Sequence, residues 1–147
     1  MLEDTTYAPT THRFVAVLNK KYETGRLMNT LAHMTIAITH SHLDNLDSFA
    51  VRTYEDGDGG LHPNLSDQPF IVLRADNSNQ IKTLKSKLQE KSIKYVDFVH
   101  TMILKSAEEQ VEITKQTKEE DLDYLGICFF ADYETAKELT KKYSTFK

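Results

Sequence analysis

The sequence predicts an α/β fold in one domain that spans residues 1–147, and three observations support this. An apolar run, Phe14 to Leu18, is followed by a glycine turn and an amphipathic helical pattern. A second apolar run at Phe70–Ala75 is followed by a helical pattern and a third strand, the order typical of a βαβ unit. The chain has 147 residues, which is enough for one domain with its own core.

The first third of the chain is predicted from apolar periodicity. Residues 1–11 form an acidic and polar flexible arm, and residues 13–19 form a strand buried on both faces. Thr24 is expected to cap a helix over residues 25–40. The inward positions of that helix recur at helical spacing, and they are Leu27, Leu31, Met34 and Ile38.

The middle of the chain alternates strand and helix signals. Residues 48–54 read as an edge strand, and the Gly- and Asp-rich residues 55–67 as a flexible loop. The strand at Phe70–Ala75 is followed by a helix that Asn77 or Ser78 caps and that ends near Lys91. Its inward residues are Ile81, Leu84 and Leu88, and its lysines are expected to point outward. A strand over residues 94–99 completes a βαβ unit, for which a right-handed crossover is expected.

The last third contains one ambiguous stretch. Residues 101–123 are compatible with a short helix, a short strand at 111–114 and a charged loop. Residues 124–131 form the last clear strand. Asp132 then caps a closing helix, whose inward face contains Ala136, Leu139 and Tyr143.

Composition excludes several classes of protein. The net charge is −4, which disfavours a generic nucleic-acid binder, and no apolar run approaches the length of a membrane span. The N-terminus has no signal-peptide pattern. Cys128 is the single cysteine and lies in an apolar strand, so we expect a buried structural thiol. A cytoplasmic protein without membrane association is therefore expected.

The start of the first helix contains a candidate anion site. Arg26 falls in the first turn, where the helix dipole disfavours a cation and favours a bound anion. The alternative is a solvated surface arginine. Asn29 or Thr30 and then His33 continue the polar stripe, although a mid-helix histidine such as His33 is also compatible with a core residue bonded to a backbone carbonyl.

A second candidate lies near the carboxyl end of the strand at 94–99. Functional side chains of open α/β sheets often occur at this position. Asp97 lies beside apolar Phe98 and Val99, which would raise its pKa and suit it to act as a base. The alternative is that Asp97 caps the segment that follows.

No metal or cofactor is expected. The spacing of the polar residues His40, His42, Asp44, Asp47 and His62 matches no metal-ligand pattern. The Asp56–Gly60 segment imitates a calcium loop, but its fifth position is glycine and no glutamate closes the loop.

These motifs resemble the type II peptidyl-tRNA hydrolases. The strand at 14–18, the Thr24-Gly25-Arg26 step and Ala32-His33 are similar to the opening of that family. Asp97 and Thr101 fall on its Asp-Ala-Gly-x-Thr motif. Uncharacterised bacterial relatives, a domain-of-unknown-function family, are more similar still, because they share the Asn-x-x-Ala-His motif seen at residues 29–33.

The resemblance implies a three-layer α/β/α fold with a small mixed β-sheet, and often a homodimer. It implies a catalytic set of Asp97 activating water, Thr101 orienting it and Arg26 stabilising charge, with Asn29, Thr30 and His33 lining the pocket. Arg26 replaces the family's catalytic lysine, and an arginine cannot lose its proton near neutral pH.

Two functions remain open from the sequence. One is hydrolysis of an ester or amide bond in an anionic or tRNA-like substrate at a cleft formed by Arg26 and Asp97. The other is a non-catalytic domain that binds a small anion, a peptide or a protein partner in the same cleft.

Overall fold

The computed structural model describes residues 10–103 and 106–147. It contains a five-stranded sheet, a separate two-stranded hairpin and four α-helices. The strands are β1 (His12–Asn19), β2 (Val51–Glu55), β3 (Leu61–Ser66), β4 (Phe70–Ala75), β5 (Tyr95–Val99), β6 (Tyr124–Asp132) and β7 (Ser144–Thr145). The helices are α1 (Thr24–His40), α2 (Ser78–Glu90), α3 (Ala107–Gln116) and α4 (Tyr133–Thr140), with 3₁₀ segments at Leu43–Phe49, His100–Met102 and Glu119–Asp121.

The main sheet is mixed, with the strand order β5-β6-β1-β4-β7. β1 is parallel to β4 and antiparallel to β6, and β5 is antiparallel to β6. β5 therefore runs in the same direction as β4, which confirms the predicted βαβ unit; its right-handed crossover stays a prediction. β5 lies at an edge of the sheet, so its residues are accessible from the side.

Alternate residues of β1 belong to two different apolar clusters. Val15 and Val17 pack with the buried residues of α2 and α4, whereas Phe14, Ala16 and Leu18 pack with those of α1. This alternation follows from the two-residue repeat of a strand, whose neighbouring side chains point to opposite faces. The continuous apolar run thus serves both clusters, as the sequence predicted.

The segment over residues 48–67 differs from its prediction. Ser48 and Phe49 belong to a 3₁₀ segment rather than a strand, and the expected loop contains β3, which pairs with β2. The Asp56 carboxylate closes the hairpin turn by accepting hydrogen bonds from the N–H groups of Asp58 and Gly60. The loop composition at the turn concealed the strand that follows it.

The stretch over residues 101–123 is mainly helical. Ser106 and Glu109 form a capping box at the start of α3, and the predicted strand at 111–114 is wrong because those residues lie within this helix. Leu104 and Lys105 lie outside the described residues, as do residues 1–9 of the predicted arm.

The predicted helix caps agree with the structure at two of three positions. Asn77 accepts a hydrogen bond from Gln80 N–H at the start of α2, and Asp132 accepts one from Thr135 N–H at the start of α4. Thr24, however, lies within α1, whose N-cap is Glu23 and has no side-chain cap. Within the described ranges, no helix is both long and apolar enough to cross a membrane.

Candidate functional site

One side of α1 contains most of the predicted site. Arg26, Thr30, His33 and Ala37 follow one another at spacings of four, three and four residues, so they form a stripe along this side of the helix. Arg26 is half-buried and His33 is exposed, which excludes the alternative of a core histidine. Asn29 is exposed and lies off this stripe, whereas Thr30 lies on it and is fully buried.

The His33 end of the stripe opens into a cavity of about 330 Å³. The cavity lies between α1, β5 and α3, and its lining residues are His33, Met34, Ala37, Asp97, Phe98, Met102 and Gln110. The His33 and Phe98 rings lie 5.9 Å apart, centroid to centroid. We call this space the α1–β5 cavity. It combines an imidazole, a carboxylate residue and an amide with an apolar floor, a composition typical of small-molecule sites.

Asp97 is oriented toward the α2 side of the sheet. Its neighbours Val96 and Phe98 pack with the cluster of α1, so the strand repeat directs Asp97 to the opposite side. Its carboxylate Oδ2 lies 3.8 Å from Lys85 Nζ on α2. Burial raises the pKa of Asp97, and the Lys85 charge opposes this effect without cancelling it.

Lys85 belongs to a polar cluster that sequence reasoning missed. Lys85 Nζ donates a hydrogen bond of 2.7 Å to the Tyr124 hydroxyl, which itself donates one of 2.8 Å to Glu119 Oε1. Burial raises the pKa of Tyr124 to about 12, so its hydroxyl stays protonated near neutral pH. The pKa of Lys85 is also raised: burial lowers it, but Tyr124, Asp97 and Glu119 together outweigh that effect.

The sequence predicts that Lys85 points outward with the other lysines of α2. This prediction is wrong, because only 17% of the Lys85 side chain is exposed. Position 85 directly follows the inward residue Leu84 and precedes Leu88 by three residues. That spacing places it beside the apolar stripe of α2 and was the signal available in the sequence.

Thr101 and Thr30 are buried away from the α1–β5 cavity lining. The Thr101 hydroxyl lies 2.7 Å from that of Thr114, which donates to the Gln110 carbonyl, so Thr101 is the donor in this pair. This bond joins the 3₁₀ segment after β5 to α3. The Thr30 hydroxyl has no hydrogen-bond partner among the residues that the structure describes.

The structure therefore brings His33 and Asp97 together at one cavity, but it does not place Arg26, Asn29, Thr30 or Thr101 in the lining. Arg26 lies seven residues before His33, or about 10 Å along the helix axis.

Asp97 does not cap the next segment, since the 3₁₀ segment at His100–Met102 has Val99 as its cap.

The remaining sequence candidates have structural roles. His62 contacts Asp56 at the hairpin turn, and His42 contacts the Ile38 carbonyl. In the described part of the chain, no group of three or more His, Cys, Asp or Glu side chains is arranged to hold a metal ion. Cys128 is fully buried, as predicted, and burial raises the pKa of its thiol to about 12.

Comparison with known proteins shows the family of this chain. The family model described as "Protein of unknown function (DUF2000)" matches residues 12–147. The solved structure of Atu0240, a protein of unknown function from Agrobacterium tumefaciens strain C58, is similar with a TM-score of 0.77. Its sequence identity is 16%, and the alignment covers 93% of this chain and 98% of that chain. That identity supports a shared fold alone, and neither match is to a peptidyl-tRNA hydrolase. No curated protein matches the chain. The chain therefore belongs to the DUF2000 family of proteins of unknown function.

Proposed function

We propose that this protein binds a small anionic molecule along the stripe of α1 that runs from Arg26 to the α1–β5 cavity. The observation that carries the proposal is the cavity itself, which opens at the His33 end of that stripe. A ligand with its uncharged part in the cavity and an anionic group about 10 Å away would reach Arg26. The guanidinium and the free N–H groups at the start of α1 suit such a group.

The start of α1 leaves its backbone N–H groups without a side-chain acceptor from the N-cap residue. The first turn of α1 contains no acidic residue, and Glu23, its N-cap residue, makes no side-chain capping bond. The N–H groups of this turn therefore have no side-chain acceptor from the cap. This arrangement supports the binding of an external anion.

A suitable probe is an N-acetylaminoacyl ester of adenosine 5′-phosphate, which has an ester and an anionic phosphate in one small molecule. We expect it to bind the full chain in a calorimetric titration. Arg26→Ala should weaken binding about tenfold, the loss expected for one charge-assisted contact. Arg74→Ala, which removes an exposed arginine from β4, should leave the affinity unchanged. Equal weakening by both variants would contradict the assignment of Arg26.

Hydrolysis of such an ester is the second candidate function, and the environment of Asp97 favours it. The raised pKa makes the Asp97 carboxylate a stronger base than an exposed one, and Asp97 lies on the edge strand β5, which borders the α1–β5 cavity. In the structure the carboxylate faces Lys85, so this function requires it to turn around the sheet edge toward the cavity.

In this proposal Asp97 takes a proton from water, and the water oxygen attacks the ester carbonyl. The bond between the carbonyl carbon and the ester oxygen then breaks, the ribose hydroxyl leaves with the proton held by Asp97, and the carboxylic acid is the second product. Arg26 stabilises the charged substrate. Thr101 would orient the water or the substrate, for which its hydroxyl must leave the bond to Thr114. Of the three expected pocket residues, His33 lines the cavity, and Asn29 and Thr30 would have to meet the substrate outside the lining.

Turnover of the same ester separates the two functions. Under the hydrolase proposal, Asp97→Asn abolishes turnover while binding is largely kept. Binding by the wild-type chain without turnover at high protein concentration would leave the binding domain as the function. Unchanged turnover by Asp97→Asn would exclude Asp97 as the base.

A homodimer is part of this proposal, and the outer face of α1 supports it. Residues 27–39 contain no Asp, Glu, Lys or Arg, and Met28 and Ile36 are 67% and 70% exposed. An uncharged face can pack on its own copy without opposing like charges. We expect sedimentation to show a dimer that Ile36→Glu converts to a monomer, whereas Val111→Glu on α3 should not.

We also propose a finer description of the fold and a cellular location. A three-layer α/β/α arrangement of the peptidyl-tRNA hydrolase II type is supported by the two apolar clusters on alternate strand residues. A cytoplasmic location is supported by the single buried thiol of Cys128, which cannot form an internal disulfide. Imaging of the tagged full chain tests the location.

A further inference from the structure

We infer that a second cavity, between His12 and His42, is a binding site for a phosphate monoester. This cavity measures about 520 Å³ and lies where β1 begins, β6 ends and the turn before β5 passes. The lining residues on which the inference depends are His12, His42, Lys91, Lys94, Phe130 and Asp132. It shares no lining residue with the α1–β5 cavity, so the inference is independent of the proposed function.

His42 is the best-defined polar side chain in this cavity. The residue is only 7% exposed, and its Nδ1 lies 2.9 Å from the Ile38 carbonyl oxygen. A carbonyl oxygen only accepts hydrogen bonds, so Nδ1 carries the proton of this bond. Nε2 has no hydrogen-bond partner among the described residues, and His42 is one of the residues that line the cavity. Because Nδ1 carries the proton, Nε2 is an acceptor to which a hydroxyl group of the ligand can donate.

Two lysines add permanent positive charge to the same cavity. Lys91 follows the last residue of α2, and Lys94 lies just before β5. Lys94 Nζ donates a hydrogen bond to the Ser41 carbonyl at 3.2 Å and lies 3.8 Å from Asp44. Its side chain is therefore held near His42 by the end of α1. Several cationic donors around one space suit a phosphate, which has three terminal oxygens and up to two charges.

The cavity has one acidic residue, which favours a ligand with both a phosphate and a hydrogen-bond donor. Asp132 pairs with His12 across β1 and β6. Its Oδ1 accepts from Thr135 N–H, and this bond holds the pKa of Asp132 below its usual value, so the group is a carboxylate at neutral pH. A carboxylate has several lone pairs, so Asp132 would also accept a hydrogen bond from a ligand hydroxyl.

The apolar lining completes the ligand class. The His12 ring stacks on Phe130 at 5.2 Å between centroids and 22° between planes, next to Ile93. A small hydroxylated carbon skeleton fits against this surface, while its phosphate meets the two lysines. The chemistry is that of a sugar phosphate.

The test is a titration of the full chain with ribose 5-phosphate, followed by NMR of the histidine side chains. We expect the His42 resonances to move and the dissociation constant to rise about tenfold in Lys91→Ala. Lys115→Ala, which removes the same charge from α3, should leave the dissociation constant unchanged. Ribose without phosphate should not move the His42 resonances.

Three results would overturn this site. They are a titration without any shift of His42, an equal loss of affinity in Lys91→Ala and Lys115→Ala, and equal binding of ribose and ribose 5-phosphate. His42→Gln serves as a second variant that removes the imidazole from the cavity. Lys91→Ala keeps the test decisive if His42→Gln does not fold, since Lys91 is an exposed residue.

Discussion

At the scale of single residues, the environment of Asp97 combines opposing effects. Burial raises the pKa of this carboxylate, and Lys85, 3.8 Å away, lowers it. The sequence predicted the raised pKa from the apolar neighbours of Asp97, and the structure agrees in direction. The sequence did not predict Lys85, because only the packing of α2 on the sheet brings these two side chains together.

The first prediction concerns the pH dependence of stability. The folded protein holds the Asp97 proton more tightly than the unfolded chain does. Ionisation of Asp97 therefore costs stability as the pH rises from about 4, the ordinary carboxyl pKa, to about 7. Asp97→Asn cannot ionise, so the free energy of unfolding of the wild type, relative to this variant, should fall over that range. Urea unfolding of the wild type and of Asp97→Asn at about pH 4 and pH 7 measures this difference in the free energy of unfolding.

A matched variant sharpens this measurement. Lys85→Met removes the cation that lowers the Asp97 pKa. In proteins that carry Lys85→Met, the free energy of unfolding relative to the Asp97→Asn variant should therefore fall further over the same pH range. A difference between wild type and Asp97→Asn that rises with pH would show that Lys85, not burial, dominates at Asp97.

The second prediction concerns the reactivity of Cys128. The thiolate is the reactive form, and burial both raises the thiol pKa to about 12 and blocks access. A disulfide reagent should therefore react fully with Cys128 in denaturant and only slowly in the native protein. Rapid reaction in native conditions would mean that β6 opens or that its neighbours do not pack as described.

At the scale of elements, the position of α1 depends on a close approach to β6. A Cβ atom on Gly126 would lie 2.8 Å from Met34 Cε and 3.0 Å from Leu18 Cδ2. Both side chains are buried, so they have little space to move aside. Gly126 thus sets the distance between α1 and the sheet, and with it the position of the His33 stripe.

The third prediction follows from this contact. Gly126→Ala should lower the free energy of unfolding by about 1–3 kcal/mol, the usual cost of overpacking a core. The adaptable Met34 side chain favours the lower end of that range. In Gly25→Ala, the new Cβ has no atom within 4 Å, so helix propensity should make this control neutral or stabilising. Denaturant unfolding of both variants measures the contrast. An equal loss in the two would contradict the packing of α1 on β6.

At the scale of the whole molecule, local patterns predicted the elements that had a strong local signal. β1 and β6 are continuous apolar runs, and the apolar residues of α2 recur at helical period. The two-residue strand β7 was not predicted, and α3 was only one of several alternatives. β3 was missed because Pro63 and Asn64 are poor strand residues and follow a glycine-rich turn. The predicted strand at residues 111–114 is wrong. The capping box at the start of α3 favours a helix more strongly than the β-branched residues of this short segment favour a strand.

The site was less predictable than the fold, because it depends on which side chains meet across elements. The α1 stripe follows from helical spacing alone, and Asp97 was found from its place on β5. The α1–β5 cavity, the Lys85 cluster and the His12–His42 cavity join residues distant in sequence. Their positions are set by the sheet order and the packing of helices, which one sequence does not determine.

The most direct test of the central claim is the location of the bound anionic ligand. Intermolecular NOEs can be measured between the full chain and the amide analogue of the N-acetylaminoacyl adenosine 5′-phosphate, which resists hydrolysis. We expect NOEs from the acyl group to protons of His33, Ala37 and Phe98, and we expect the phosphate to shift the resonances of Arg26. NOEs confined to the His12–His42 cavity or to the β2–β3 hairpin, or no binding at millimolar ligand, would contradict it.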